Sequence, residues 1–244
     1  DHYSFAVVGP VNMGKTSFIN AFLGLRKNDE GAGKVDEGET TTGEPKKYRS
    51  PMYKYLEFAD MPGWGTKTNL SATYYKEKKL DTYDGVILFV NVLNDSNLLN
   101  VAKQLLDHNI NMIFVYAKTD LALIDEVRRD GLTDDGESFD FNHPKLEEMQ
   151  EFLNKWLSQR RNEHKMGLNQ EQSGKYKKLA DMPVFFISNG ALLYQTLKTK
   201  NEKTSLNENG NNEEILDRLF YDERELRSEL IQIAKEKLGI DAMK

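Results

Sequence analysis

Gly9-Pro10-Val11-Asn12-Met13-Gly14-Lys15-Thr16 is the stretch on which the reading of this chain turns. Phe5, Ala6, Val7 and Val8 come directly before it and read as a short buried strand. Ser17, Phe18, Ile19, Ala21, Phe22 and Leu23 follow with helical spacing of the apolar positions, up to Gly24. A strand, a glycine-bounded loop ending in Gly-Lys-Thr and a helix form the arrangement that cradles phosphate. The physical reason is local. Backbone N–H groups across Asn12, Met13 and Gly14 and at the helix start face phosphate oxygens, and Lys15 adds a point charge for binding and catalysis. Thr16, with Ser17 behind it, brings a hydroxyl suited to Mg²⁺. The expected ligand is a nucleoside triphosphate.

Working outward, strand-like and helical segments alternate. Leu25 to Pro51 is polar, with an edge strand around Tyr48, and Tyr55 to Ala59 is the next strand, ending at Asp60. Leu70 to Asp81 reads as helix, Val86 to Val92 as a central strand, Leu98 to Leu106 as helix and Met112 to Tyr116 as a buried strand. Leu121 to Asn142 is an acidic loop. A helix is expected from Pro144 to Leu157, with Leu146, Met149, Phe152, Leu153 and Trp156 on one face. Gln159 to Leu179 is polar, Pro183 to Ile187 a last strand, and Asp222 to Leu238 a last amphipathic helix. This alternation predicts an α/β fold with a mostly parallel central sheet and helices on both faces. The stretch KTKNEKTSLNENGNNEE, Lys198 to Glu214, lacks a core pattern. The expected division is therefore a nucleotide-binding domain over 1–197, a flexible loop over 198–215, and a C-terminal helix over 216–244 that packs on the domain or leaves it.

Composition narrows the function further. With 39 acidic against 33 basic residues, the net charge of −6 argues against a general nucleic-acid binder. The chain has no cysteine and four scattered histidines, which excludes thiol metal sites and disulfides and gives no histidine zinc cluster. Across 244 residues, no apolar run approaches the roughly 18 to 20 needed to span a bilayer. The opening residues DHYSFAVVG pass straight into the first strand, so no signal peptide is expected, and a soluble cytoplasmic protein is.

Four more elements follow in the order of a guanine-nucleotide switch. Asp60-Met61-Pro62-Gly63 ends a strand; Asp60 holds Mg²⁺ through water in this reading, and the Gly63 amide reaches a γ-phosphate. Ala117-Lys118-Thr119-Asp120 ends another strand. The Asp120 carboxylate accepts from N1–H and the exocyclic amine of guanine, a donor pair adenine lacks, and the Lys118 stem covers the base. The usual first residue of this motif is Asn or Thr, so Ala117 predicts that a polar tie back to the phosphate loop is missing. Ser188-Asn189-Gly190 follows the last strand and offers amides to the guanine oxygen. Within Glu39-Thr40-Thr41-Thr42, one hydroxyl completes Mg²⁺ coordination when the γ-phosphate is present; Thr42 is preferred and Thr41 is next.

GPVNMGKTSFINAFLG, the EGETTTGEPKKYRSP loop, LEFADMPGWGT, YYKEKKLDTYDGVILFV, AKTD and PVFFISN resemble, in order and spacing, the immunity-related GTPases of the interferon-inducible p47 type. More distantly the chain resembles interferon-induced protein 44 and dynamin-like GTPases. The resemblance covers about Phe5 to Asn189. It implies a Ras-like GTPase domain that binds GTP and GDP, dimerises through its nucleotide face, and hydrolyses GTP slowly alone and faster when assembled on membranes. That leaves a peripheral membrane role to a longer form, because relatives flank this domain with helices of a second domain. Many relatives carry a glutamate two residues before the switch threonine; Glu39 holds that place only if Thr41 is the threonine.

Two positions bear on hydrolysis. Ras-type enzymes orient the attacking water with a glutamine just after DxxG, and Trp64 stands there. Either turnover is slow, or the polar group comes from Glu39 or from a partner; alternatively Trp64 simply packs. Asn12 lies in the pattern GxxNxGK, which resembles potassium-activated GTPases in which that asparagine helps hold K⁺ near the phosphates. The competing reading is a residue tolerated in a left-handed turn. A GTPase is favoured over a GTP-gated scaffold without turnover, and Asp120 argues against an ATPase.

Overall fold

The computed structural model describes residues 2–35, 44–64, 71–90, 96–122, 146–171, 174–200 and 222–240. Runs of apolar residues buried on both sides build the centre of the sheet. β1 (Tyr3–Val8), β4 (Gly85–Phe89) and most of β3 (Leu56–Asp60) and β5 (Asn111–Tyr116) are buried residue after residue. With β2 (Lys46–Arg49) and β6 (Val184–Phe186) they form a six-stranded sheet in the order β2-β3-β1-β4-β5-β6. Every pairing is parallel except β2 with β3. Parallel strands buried on both faces require helical layers on both sides, and the core divides accordingly.

Side chains alternate between the two layers along each strand. Ala6, Val8, Val86, Leu88, Met112 and Phe114 face one core, which α2 (Ser71–Glu77), α3 (Ser96–Asp107) and the 3₁₀ turns of Gly174–Asp181 close with Tyr74, Leu98, Ala102, Leu105 and Leu179. Phe5, Val7, Ile87, Phe89, Ile113 and Val115 face the other, closed by α1 (Lys15–Leu23), α5 (Asn189–Thr199) and α6 (Glu223–Leu238). From α6, Leu226, Leu230 and Ala234 are fully buried there. Burying a leucine contributes roughly 1.5–3 kcal/mol, so α6 is an integral layer of this face.

Three elements differ from the sequence reading. α4 (Leu146–Glu171) continues well past Leu157, through residues read as a polar stretch. Its buried positions explain why: Leu153, Leu157, His164 and Leu168 recur at helical spacing, with a histidine standing where an apolar residue marks most stripes. The 3₁₀ turns after it also carry core residues, Leu179 and Ala180. α5 follows Ser188 directly and runs to Thr199, two residues beyond the expected domain limit at 197. Its Ala191, Leu192, Tyr194 and Leu197 are buried. The remainder of the expected loop, 201–215, lies outside the described residues, as does the acidic segment 123–142.

The edge of the sheet at β6 is covered chemically. An edge strand leaves N–H groups without a ladder partner. Asp222 Oδ2 accepts from Phe186 N at 2.8 Å and Glu223 Oε1 accepts from Ser188 N at 2.7 Å. Asp222 also pairs with Arg161 of α4. Two carboxylates at the start of α6 thus fix β6 and the turn that leaves it.

Candidate nucleotide site

The loops at the carboxyl ends of the parallel strands converge beside β1, where the strand order reverses and ligands bind in open α/β sheets. β1 leads into the phosphate loop and α1 leaves it. Asn12 has φ +60 and Gly14 φ +84, both left-handed, which turns successive amides toward one side of the loop. Lys15 is buried and bends back along the loop, donating from Nζ to Pro10 O at 2.7 Å and to Gly9 O at 3.2 Å. Burial lowers its pKa to about 8, and the Asp60 charge opposes that shift. The buried ammonium has carbonyl acceptors at Pro10 and Gly9 and the Asp60 charge nearby, and a phosphate oxygen would be a further charged acceptor.

The register places Asp60 opposite Val7, at the mouth of the loop. Thr16 Oγ1 donates to Asp60 Oδ2 at 2.6 Å. Burial raises the Asp60 pKa, against the Thr16 hydrogen bond and the charges of Lys15 and Lys46. A hydroxyl and a carboxylate in contact form the small set of hard oxygen donors that Mg²⁺ takes from protein when phosphate supplies others. Among the described residues no group of three or more His, Asp or Glu side chains could hold a metal by itself.

The turn after Asp60 is stitched to the phosphate loop. Val11 N donates to Trp64 O at 3.3 Å, and Pro10 bridges Trp64. Gly63 is required for this approach: a Cβ there would lie 2.7 Å from Val11 N. The indole of Trp64 is 1% exposed and packs edge-on against Tyr74, whose hydroxyl donates to Pro62 O at 2.6 Å. Trp64 is a core side chain, and its backbone and ring pin the first residues after DMPG. Glu39, Thr40, Thr41 and Thr42 lie outside the described residues.

At the base end, Lys118 adopts φ +61 and donates from Nζ to Asn12 O at 2.9 Å. Thr119 N donates to Ile187 O at 3.1 Å, locking the AKTD turn to the end of β6. Asp120 follows, partly buried in a helical turn that begins at Thr119. Ser188 caps α5. Ala117 offers only a methyl group, so the tie expected of the first motif residue is missing there, and other residues link this end to the phosphate loop. Besides Lys118, Asn189 Nδ2 donates to Gly14 O at 3.1 Å. Asn189 was read as an amide donor to the base; no signal in the AKTD motif points to its side chain, because it lies 175 residues from its partner.

Beside these loops is a cavity of about 720 Å³, lined by Val11, Asn12, Ala117, Lys118 and Thr119 and by Trp156, Arg160 and His164 of α4. His164 is buried, its Nδ1 3.2 Å from Tyr116 Oη, and burial lowers its pKa to about 4, so it is neutral at pH 7. Neither residue carried a recognisable motif in the sequence.

The chain matches known proteins across these elements. The family described as Interferon-inducible GTPase (IIGP) matches residues 2–194. Interferon-inducible GTPase 1 of Mus musculus is 31% identical over 121 residues, 50% of this chain and 29% of the relative. Interferon-gamma-inducible GTPase 10 of Mus musculus is 28% identical over 123 residues, again 50% of this chain and 29% of the relative. The aligned stretch is thus less than a third of either relative. Among solved structures the chain is similar to mGMPPNP-bound NFeoB from S. thermophilus, with TM-score 0.41 and 19% identity over 82% of this chain and 62% of that one. It is also similar to the LeoA bacterial dynamin GTPase from ETEC, with TM-score 0.47 and 18% identity over 99% of this chain and 39% of that one. Since the family match runs through all six strands and through the loops of both the phosphate and the base ends, this chain belongs to the interferon-inducible GTPase family.

Proposed function

We propose that this domain binds GTP with Mg²⁺ and hydrolyses it to GDP and phosphate, and that contact between two domains through their nucleotide faces raises turnover. The observation that carries the reading is the pair Thr16 and Asp60, in contact at 2.6 Å beside a buried Lys15 that donates to the carbonyls of Gly9 and Pro10. Those groups are of the kinds that meet a phosphate and its metal. Asn12, Met13, Gly14, Ser17 and the Gly63 amide complete the phosphate end, and Lys118, Asp120, Ser188 and Asn189 hold the base. Mg²⁺ would be held by Thr16 directly and by Asp60 through water, with Thr42 as the switch ligand, and when bound it neutralises phosphate charge.

The chain's own residues then orient and shield. In hydrolysis a water oxygen bonds to the γ-phosphorus as the bond from that phosphorus to the β–γ bridging oxygen breaks; the bridging electron pair stays on GDP and the water proton passes to phosphate. Lys15 holds the β- and γ-phosphates in line. Trp64 cannot orient the water, since its indole is buried against Tyr74. The orienting group therefore comes from Glu39 or from the facing domain, and in the second case turnover depends on association. K⁺ beside Asn12 is a further element of the proposal, with the left-handed backbone of Asn12 as its rival explanation.

GTP turnover measured across protein concentrations, in sodium and in potassium salts, tests this. Specific activity should climb with concentration, and the climb should be steeper in potassium if the cation takes part. Flat activity at all concentrations overturns the dimer step. The burial of Trp64 favours one second reading, a GTP-gated switch without turnover; GTP left intact for hours in a single-turnover assay would decide for it.

A further inference from the structure

We propose that Asn189 is the positioning residue that couples the base-binding turn to the phosphate loop, supplying from the turn between β6 and α5 the amide that Ala117 lacks. The inference rests on the nucleotide reading above and goes beyond it in naming what holds the two ends of the ligand in register.

Four observations converge. A carbonyl oxygen can only accept, so the atom 3.1 Å from Gly14 O is the amide nitrogen of Asn189. Gly14 is the N-cap of α1, and its carbonyl also accepts from Phe18 N at 2.8 Å; Asn189 therefore grips the point where the phosphate loop becomes helix. A Cβ placed on Gly14 would lie 2.9 Å from Asn189 Nδ2 and 4.0 Å from the Ala117 Cβ. Both side chains thus flank the same face of Gly14, and a methyl group at 117 has no hydrogen bond to give. Asn189 is itself held: Ser188 N donates to the buried Glu223 carboxylate at 2.7 Å, and Ser188 Oγ accepts from Ala191 N at 3.4 Å. Among the described residues its buried Oδ1 has no hydrogen-bond partner, and the bond to Gly14 O is the one its amide makes there.

The consequence is specific. With Asn189 in place, α1's N-cap and the Ser188–Asn189 turn move as one body, so triphosphate and purine are held at a fixed separation. Without it, the two ends bind the same ligand less cooperatively, and release quickens.

The test uses the whole chain with Mg²⁺ and a fluorescent GDP, reading affinity and dissociation rate. Asn189→Ala should weaken binding about tenfold, mainly through faster release, while the melting temperature of the nucleotide-free protein changes little. The double variant A117N/N189A should restore most of the loss, which a merely structural role for Asn189 would not produce. Asn189→Asp keeps the shape but sets an acceptor against the Gly14 carbonyl, and should bind more weakly than Asn189→Ala. Wild-type affinity in Asn189→Ala, or a double variant no better than the single one, overturns this coupling alone. A wild-type chain that holds no GDP overturns the nucleotide reading with it.

Discussion

The phosphate end and the base end of the proposed site are built in opposite ways. Phosphate-end groups come from one short stretch, Gly9 to Thr16, plus the strand that lies against it, Leu56 to Asp60. Base-end groups come from turns after β5 and β6 that are fastened by distant residues: Lys118 to Asn12, Asn189 to Gly14, Glu223 to Ser188. A motif contiguous in sequence carries its geometry with it, since a strand, two left-handed residues and a helix start dictate where amides point. A junction made by residues far apart in sequence depends on the completed fold.

That difference can be broken from either side. The largest effect expected is on stability at the phosphate end. Trp64→Ala should cost about 3–5 kcal/mol in denaturant unfolding, because it empties a fully buried indole site and releases the turn stitched to Val11. A loss under 1 kcal/mol would mean that the turn after DMPG is not anchored through the core.

Lys15→Met should act on binding in the reverse sense to stability. GDP affinity should fall on the order of 100-fold, since a buried partner of the phosphate is removed. Nucleotide-free stability at pH 7 should rise, because burial disfavours the Lys15 ammonium. The pH dependence carries the same sign. With a folded pKa of about 8 against 10.5, the unfolded chain binds more protons across that window, so wild-type apo stability gains as pH rises through it. GDP affinity should instead decline above about pH 8, as the ammonium that phosphate needs is lost, and Lys15→Met should show neither trend. Chemical denaturation and titration at pH 7 and pH 9.5 separate the two.

A smaller effect is expected at the base end. Glu223→Ala leaves the Ser188 N–H without its acceptor and should cost about 1–3 kcal/mol. It should also speed GDP release, since the turn bearing Asn189 loosens, whereas Trp64→Ala acts through the phosphate end. Denaturation and dissociation kinetics on the same protein check both parts.

The sequence made the parallel core legible because Val7, Ile87, Phe114 and their neighbours sit in continuous apolar runs. It also placed Asp60 and Lys118 where the fold brings them, at strand ends beside the loop. It missed α5 because Ser-Asn-Gly reads as a turn, although Ser188 is also a good helix cap. It ended α4 too soon because a buried His164 looks polar in a hydrophobic pattern. The missing tie at Ala117 is legible in the motif, but the Asn189 amide that meets Gly14 O is not, because a motif reports only its own side chains. Trp64 reads from the sequence either as packing or as a lost catalytic group, and the structure shows the indole buried against the Tyr74 ring.

The central claim is that a guanine nucleotide spans both ends, its purine chosen by the Asp120 carboxylate. Competition of GDP, ADP and xanthosine diphosphate against fluorescent GDP, on wild type and on Asp120→Asn with Mg²⁺ present, tests it most directly. Wild type should release the probe to GDP and not to ADP, while Asp120→Asn should turn its preference to xanthosine diphosphate, whose carbonyl replaces the guanine amine. Equal displacement by ADP, or an Asp120→Asn protein that still prefers GDP, would contradict the account.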